Sequence, residues 1–332
     1  MATIRQVATR AGVSIATVSA VLNRSAYVSP ELTARVEEAA RELCYTANAV
    51  ARGLQKRKTG LIGMLVPDIS EPVYGLMVQG VERALKSAGY SLLLGSTYNR
   101  PEEQSRYLQL LRSKQVDGML VLLGFGPEDE LEQAVMAGLP IVFIARQPNT
   151  IDGDVVIADN ASGARRAVAE LARKGHRRIA LLVGPRNLAV CRDRIRGWKE
   201  GFNAAGIEID EALLQEGDYS AESGERALEN LMQLEDPPTA VVVAGFLMMT
   251  GCLRLCRERG IAVPEGLELM AWSDSPLLDI FEPTISSVVQ PSQEMGERAA
   301  ELMIRRIADK TLPPQRVELP VQVKMRNQSR YS

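Results

Sequence analysis

The sequence predicts an all-α helix-turn-helix head followed by an α/β core of two doubly wound parallel-sheet subdomains. Three observations carry this. Residues 3–45 hold three short helical patterns separated by capping residues. Beyond Gly60, continuous apolar runs alternate with longer amphipathic ones. The chain has 332 residues, which at roughly 100–200 residues per domain gives about two to three domains. Hydrophobic residues make up 46% and charged residues 24%, ordinary for a soluble globular protein, which excludes a disordered, collagen-like or coiled-coil chain. The net charge of −2 conceals an asymmetry: residues 1–60 carry nine Lys/Arg against four Asp/Glu, the remainder 30 against 37. A basic head on an acidic body suits one module for a polyanion and another for a different ligand.

In the head, Thr3 is placed to N-cap a helix over Ile4–Ala11, and Gly12 stands where a helix C-cap favours glycine. Val13-Ser14 then make a tight connection, with Ser14 capping a second helix, Ile15–Leu22. Ser29-Pro30-Glu31 opens a third, with Ser at the N-cap and Pro at the first helical position. Leu32, Val36, Ala39, Ala40 and Leu43 then recur at spacings of three and four, forming one apolar face. A glycine-containing turn between the first two helices completes a helix-turn-helix pattern.

In the core, Leu61–Val66 precedes a helix over 73–88 and Tyr90–Gly95 precedes one over 102–114. Asp117–Leu122 and Pro140–Ala145 bracket another at 128–137. Arg178–Val183, Thr239–Ala244 and Leu267–Trp272 continue the series, each with a helical partner. Continuous apolar strands alternating with helices mark buried parallel sheets. Seven or more such units over about 270 residues exceed one compact domain, so two subdomains sharing a cleft at their strands' carboxyl ends are expected. Such clefts bind small molecules.

Other chemistries find little support. Cys44, Cys191, Cys252 and Cys256 lie in separate segments and give no disulfide framework. With His176 the only histidine, a zinc site built from several His is excluded, and no metal or cofactor is expected. Gly124-Phe125-Gly126 lacks the third glycine of a dinucleotide loop, and no GxxxxGK[ST], GxSxG or HExxH occurs. A structural role for His176, just before a strand, outweighs a catalytic one, so the chain reads as no enzyme. The N-terminus has no apolar signal region and no run approaches the ~18 apolar residues of a membrane span, which predicts a cytoplasmic protein without membrane contact.

The segment TIRQVATRAGVSIATVSAVLN (3–23) resembles the N-terminal signature of LacI/GalR-type transcription repressors. The likeness extends through VSPELTARVEEAARELCYTANAVARGL (28–54), TGLIGMLVPDISEP (59–72), VDGMLVL (116–122), KGHRRIALLVGP (174–185), EGDYSAESG (216–224) and ISSVVQP (285–291), nearly the whole chain. The resemblance implies a headpiece over 1–46, a hinge helix and linker over 47–59, and a core of periplasmic-binding-protein type over 60–332. Its N-subdomain would take about 60–158 and 289–317, its C-subdomain about 159–288 and 318–330. It further implies a repressor whose operator affinity is set by a sugar, sugar acid or sugar phosphate. Some family members append a C-terminal leucine repeat that makes tetramers; Met325–Ser332 carries none, which favours a homodimer on a pseudo-palindromic operator. A soluble ligand sensor with vestigial DNA binding is the alternative; the intact head, the hinge leucine and the basic linker oppose it, and Ala20 favours it weakly.

By the same likeness the second helix lies in the major groove with Ile15, Ala16 and Ala20 toward the bases. Many relatives have a polar or charged residue, often Arg, where this chain has Ala20; losing that contact to guanine leaves apolar contacts that favour thymine methyls. Thr17, Ser19 and Asn23 are candidates for phosphate, Tyr27 for a base or sugar, and the helix-start residues Thr3 and Ser14 complete the head's DNA-facing set. In the hinge, Asn48, Ala51 and Leu54 are assigned to DNA, with Leu54 as the wedge that opens a central minor-groove step. Lys56-Arg57-Lys58 follows as a linker facing phosphate when bound.

In the core the resemblance implies effector contacts at Tyr74, Arg146, Arg194, Tyr219, Phe246 and Ser273. Sugar-binding relatives place an Asp where this chain has Ala145, Asn-Asp where it has Gly245-Phe246, and Asp-Asp where it has Ser273-Asp274. Losing those acceptors while keeping Arg194 suits an anionic effector. A neutral sugar held differently, and a silent or protein-binding cleft, remain open, as does a pairing of Arg146 with Asp159.

Overall fold

Helix ends organise the first unit. The structure, a computed structural model, describes residues 2–23, 26–45, 58–273, 275–281 and 284–326, in two units, 1–59 and 60–332. The hinge positions Asn48, Ala51 and Leu54, and Asp274, lie outside the described residues. Thr3 and Gln6 form a capping box at the start of α1 (Ile4–Ala11): the Gln6 N–H donates to Thr3 Oγ1 at 3.4 Å and the Thr3 N–H to Gln6 Oε1 at 2.8 Å. Gly12 ends the helix in the left-handed region, φ +65°. Ser14 Oγ accepts from the Thr17 N–H at 3.0 Å and starts α2 (Ile15–Asn23). Ser29 caps α3 (Pro30–Glu42), with Pro30 at its first position. Val7, Ala8 and Ala11 of α1 meet Val18 and Val21 of α2 and Val36, Ala39 and Ala40 of α3 in one small core. Arg35 Nη2 donates to the Ala11 carbonyl at 2.6 Å, tying α3 to the end of α1.

The second unit contains two six-stranded sheets. The first is built from β1 (Leu61–Val66), β2 (Ser91–Ser96), β3 (Gly118–Leu122), β4 (Ile141–Ile144), β5 (Asp154–Ala158) and β11 (Arg316–Leu319), in the order β11-β5-β4-β3-β1-β2, all parallel. The second holds β6 (Ile179–Val183), β7 (Leu214–Glu216), β8 (Ala240–Val243), β9 (Glu268–Trp272), β10 (Ser286–Val289) and β12 (Gln322–Lys324), in the order β12-β10-β9-β8-β6-β7. It is parallel except where β12 runs against β10. The flanking helices are α4 (Pro72–Ser87), α5 (Pro101–Ser113), α6 (Asp129–Met136), α7 (Asn160–Arg173), α8 (Ala189–Ala205), α9 (Ala221–Met232), α10 (Phe246–Arg259) and α11 (Ser292–Ala308). In each sheet the order reverses at its first strand: β1 lies between β2 and β3, β6 between β7 and β8. Crevices at such reversals receive ligands.

Five strands escape the alternation rule. β5 follows β4 through a loop without a helix, while β7, β11 and β12 are three- or four-residue strands with exposed or half-exposed positions. β10 opens on two serines. The first sheet runs to Leu319, so the crossing expected after 317 falls inside β11.

Helices pack closely where glycine removes a side chain. At Gly197 an added Cβ would stand 1.9 Å from the Ala161 carbonyl oxygen, closing the α7–α8 contact. Gly197→Ala should therefore cost about 1–3 kcal/mol through forced helix separation. Thermal unfolding of the purified protein measures this, and an unchanged midpoint would contradict the close packing.

Candidate operator-reading surface and effector cleft

At the start of α2 the sequence leaves apolar side chains in solvent. Ile15 is 44% exposed and Ala16 is also exposed, while Val18 and Val21 on the other face fill the core. Ser19, Ala20 and Asn23 are half-buried along the same helix, with Asn23 Nδ2 donating to Ser19 Oγ at 3.1 Å. Tyr27, in the connection to α3, is 91% exposed. The Thr3 and Ser14 hydroxyls serve their own helices as caps, and Ser14 Oγ also lies 2.9 Å from Thr17 Oγ1. Both hydroxyls are thus engaged at the starts of α1 and α2.

In the core, a cavity of about 90 Å³ sits at the carboxyl ends of the strands of both sheets. Tyr74, Arg146, Arg194 and Tyr219, four of the six expected residues, line it. Arg194, on α8, is 6% exposed. Its Nε donates to Asn160 Oδ1 at 2.9 Å, its Nη1 to the Ala244 carbonyl at 3.0 Å, and its guanidinium lies 4.1 Å from the Trp272 ring centroid. Arg146, just past β4, donates through Nη1 to the Gly124 carbonyl at 2.7 Å and lies 5.6 Å from the Phe125 ring. Among the described residues neither guanidinium pairs with a carboxylate. Asp159 instead caps α7, accepting from the Ser162 N–H at 3.0 Å, so the alternative pairing with Arg146 is absent.

Burial pushes the Tyr74 phenol up to about 12, which keeps it a neutral hydroxyl at working pH. Tyr219, at φ +67°, stacks on Phe125 at 6.2 Å and places its hydroxyl 3.3 Å from Cys191 Sγ. Its ring thus already has an aromatic neighbour from the first sheet's side of the cleft.

Phe246 and Ser273 do not line the cavity, a correction to the expected set. Phe246 begins α10, and its buried ring packs against Phe281 at 6.3 Å; Gly245 and Leu247 face the cavity instead. Ser273 is fully buried, with its hydroxyl accepting from the Ser275 N–H at 3.1 Å. Its neighbour Trp272 faces the cavity, because successive strand residues point to opposite sides.

Five further residues were not singled out by the sequence. Asn160 anchors Arg194, and Trp272 stacks on it with its own Nε1 buried and unpaired. Gln290, 6% exposed, lines the cavity beside Asp68 and Glu71. Asp68 Oδ1 accepts from the Ser70 N–H and hydroxyl. Glu71 accepts from the Phe246 N–H at 3.2 Å and the Leu247 N–H at 3.3 Å. The acceptors missing at Ala145, Gly245-Phe246 and Ser273 are therefore partly replaced by two carboxylates that follow β1. The segment PDISEP carried the only available signal: acids immediately after the first strand of a doubly wound sheet.

Comparison with known proteins fits this architecture. The profile described as "Bacterial regulatory proteins, lacI family" matches residues 3–48, and that of a periplasmic binding protein-like domain matches 168–327. The HTH-type transcriptional repressor PurR of Edwardsiella ictaluri is 35% identical over 321 residues, covering 96% of this chain and 94% of its own. The chain belongs to the lacI family of bacterial regulatory proteins. Another family relative, the ribose operon repressor of Escherichia coli K12, is 34% identical across 96% of this chain and 97% of its own. The solved structure of the lac repressor dimer bound to operator and the anti-inducer ONPF superposes with a TM-score of 0.84 at 25% identity, covering 98% of each chain. As a member of the lacI family, the protein is a DNA-binding transcription regulator with a helix-turn-helix head and a ligand-binding core. No helix among the described residues is long and apolar enough to cross a membrane.

Proposed function

We propose that this regulator is a dimeric repressor of a pseudo-palindromic operator, released or engaged by an anionic sugar acid or sugar phosphate held in the core cleft. One observation carries the ligand class: Arg146 and Arg194 line the same cavity, and neither meets a carboxylate among the described residues. A guanidinium fork matches carboxylate and phosphate oxygens in pairs. Trp272 Nε1 adds a donor whose burial without a partner costs roughly 1–3 kcal/mol, relieved by a ligand acceptor. A neutral sugar is the second reading, favoured by Asp68 and Glu71 on the same cavity and by the relative named for the ribose operon. Neither reading assigns catalysis, and binding to an operator suits a cytoplasmic protein.

Switching is a population shift, in which the effector prefers one arrangement of the core and only one suits the operator. In the head, Ile15, Ala16 and Ala20 face the bases, with Thr17, Ser19, Asn23 and Tyr27 around them.

A thermal-shift screen against neutral sugars, sugar acids and sugar phosphates tests the effector, since a ligand at 100 times its Kd stabilises by about 2.7 kcal/mol. Hits confined to acids or phosphates are expected; hits confined to neutral sugars overturn the anionic reading. Operator selection tests the head. Ala20→Arg should change the preferred base at one symmetric position by roughly 1–3 kcal/mol of discrimination. An unchanged preference removes residue 20 from the groove.

A further inference from the structure

One contact joins the two sides of the core through a buried acid. Glu71 belongs to the segment after β1 of the first sheet, yet its oxygens accept from the first two N–H groups of α10, which follows β8 of the second. No residue of α10's own neighbourhood caps that end: Gly245, at its N-cap, has no side chain to do so. Two of the helix's orphan donors, the Phe246 and Leu247 N–H groups, are therefore satisfied across the cleft, by a side chain that is 7% exposed.

We infer that Glu71 straps the two sides of the core together and that opening the cleft releases its proton. Opening would expose both amides and the carboxyl to water, where the charged form is far better solvated. The groups facing Glu71 oppose one another: Asp68 from its own segment disfavours its charge, while Arg194 from α8 and the two α10 amides favour it. The neighbouring Tyr74 hydroxyl, on α4, stays neutral across this range. Desolvation outweighs the rest and pushes the Glu71 carboxyl up to about 7.

The sign follows from linkage. A carboxyl raised in the closed arrangement and ordinary in the open one makes closure strongest below the ordinary carboxylate range. Closure then weakens as pH rises from the ordinary carboxylate range to about 7, and is constant above it, where both arrangements carry the charge. The Phe125–Tyr219 stack also spans the cleft but does not titrate here, so it gives closure a pH-independent part.

The chain supplies its own probe. It has two tryptophans: Trp198 is wholly buried, and Trp272 lines the cleft at 2% exposure. Acrylamide quenching of the full-length protein, without ligand, therefore reads cleft opening through Trp272, and Trp272→Phe identifies its share. Between about pH 5 and about pH 7 quenching should rise in the natural protein, with the open-to-closed ratio changing by up to about tenfold per pH unit, and it should level off above that range. Glu71→Gln retains an uncharged acceptor and should stay weakly quenched throughout. Glu71→Ala should be strongly quenched throughout, with Trp198 still shielded as proof of folding. The strap is overturned if Glu71→Gln follows the natural pH curve, or if folded Glu71→Ala is quenched no more than the natural protein.

Discussion

Arg194→Ala should lower affinity for an anionic effector by roughly thirtyfold to several-thousandfold, about 2–5 kcal/mol, the range for removing one partner of a buried charged hydrogen bond. The side chain is 6% exposed and already oriented by Asn160 and Ala244, so little ordering cost falls on binding. Its removal has a second consequence. Asn160 Oδ1 and the Ala244 carbonyl each lose a donor, which should cost the ligand-free protein roughly 1–3 kcal/mol of stability. Arg194→Lys separates the two effects: the charge persists while the planar fork and the stack on Trp272 are lost. Calorimetric titration with the acids or phosphates that stabilise the natural protein makes the measurement. Unchanged affinity in Arg194→Ala would move the anion to Arg146 or remove it from the cleft.

The largest stability loss is expected at Asp154, on the first sheet. Its carboxylate receives Arg306 Nε at 2.8 Å and Nη2 at 3.1 Å, a bidentate pair from α11, and the Gln315 N–H at 2.8 Å just before β11. The Asp154 side chain is 3% exposed and that of Arg306 14%. Asp154→Ala takes the carboxylate from a guanidinium that keeps only the Lys310, Leu312 and Pro313 carbonyls, and leaves the Gln315 N–H without its acceptor, at a cost of about 3–5 kcal/mol. Urea unfolding should show a lower midpoint at unchanged slope. Replacing both partners, Asp154→Ala with Arg306→Met, should recover much of the loss, because the stranded charge causes most of it. A cost below about 1 kcal/mol for Asp154→Ala would mean that water solvates the pair.

How much of the site was legible depended on how local its causes are. Thr3, Gly12, Ser14, Ser29 and Pro30 punctuate the head just where the helices begin and end, because a cap acts within one turn. Arg194 and Arg146 were legible as cleft residues, being the guanidiniums set beside motif positions and strand ends. Phe246 was expected at the cavity but packs on Phe281, because sequence position beside a strand end does not fix which way a helix's first side chain turns. Ser273 was preferred to Trp272 for a similar reason: a shift of one residue reverses the face in a strand.

The sequence by itself determined the modular plan: a basic helical head, then repeated apolar strands with amphipathic helices, because periodicity and capping are properties of neighbours along the chain. Only the tertiary structure decided the chemistry of the cleft. Glu71 meets the amides of Phe246 and Leu247 across 175 and 176 positions of sequence, and Asn160 meets Arg194 across 34. Their charge and orientation follow from burial, and burial exists only once both sheets have closed around the same cavity.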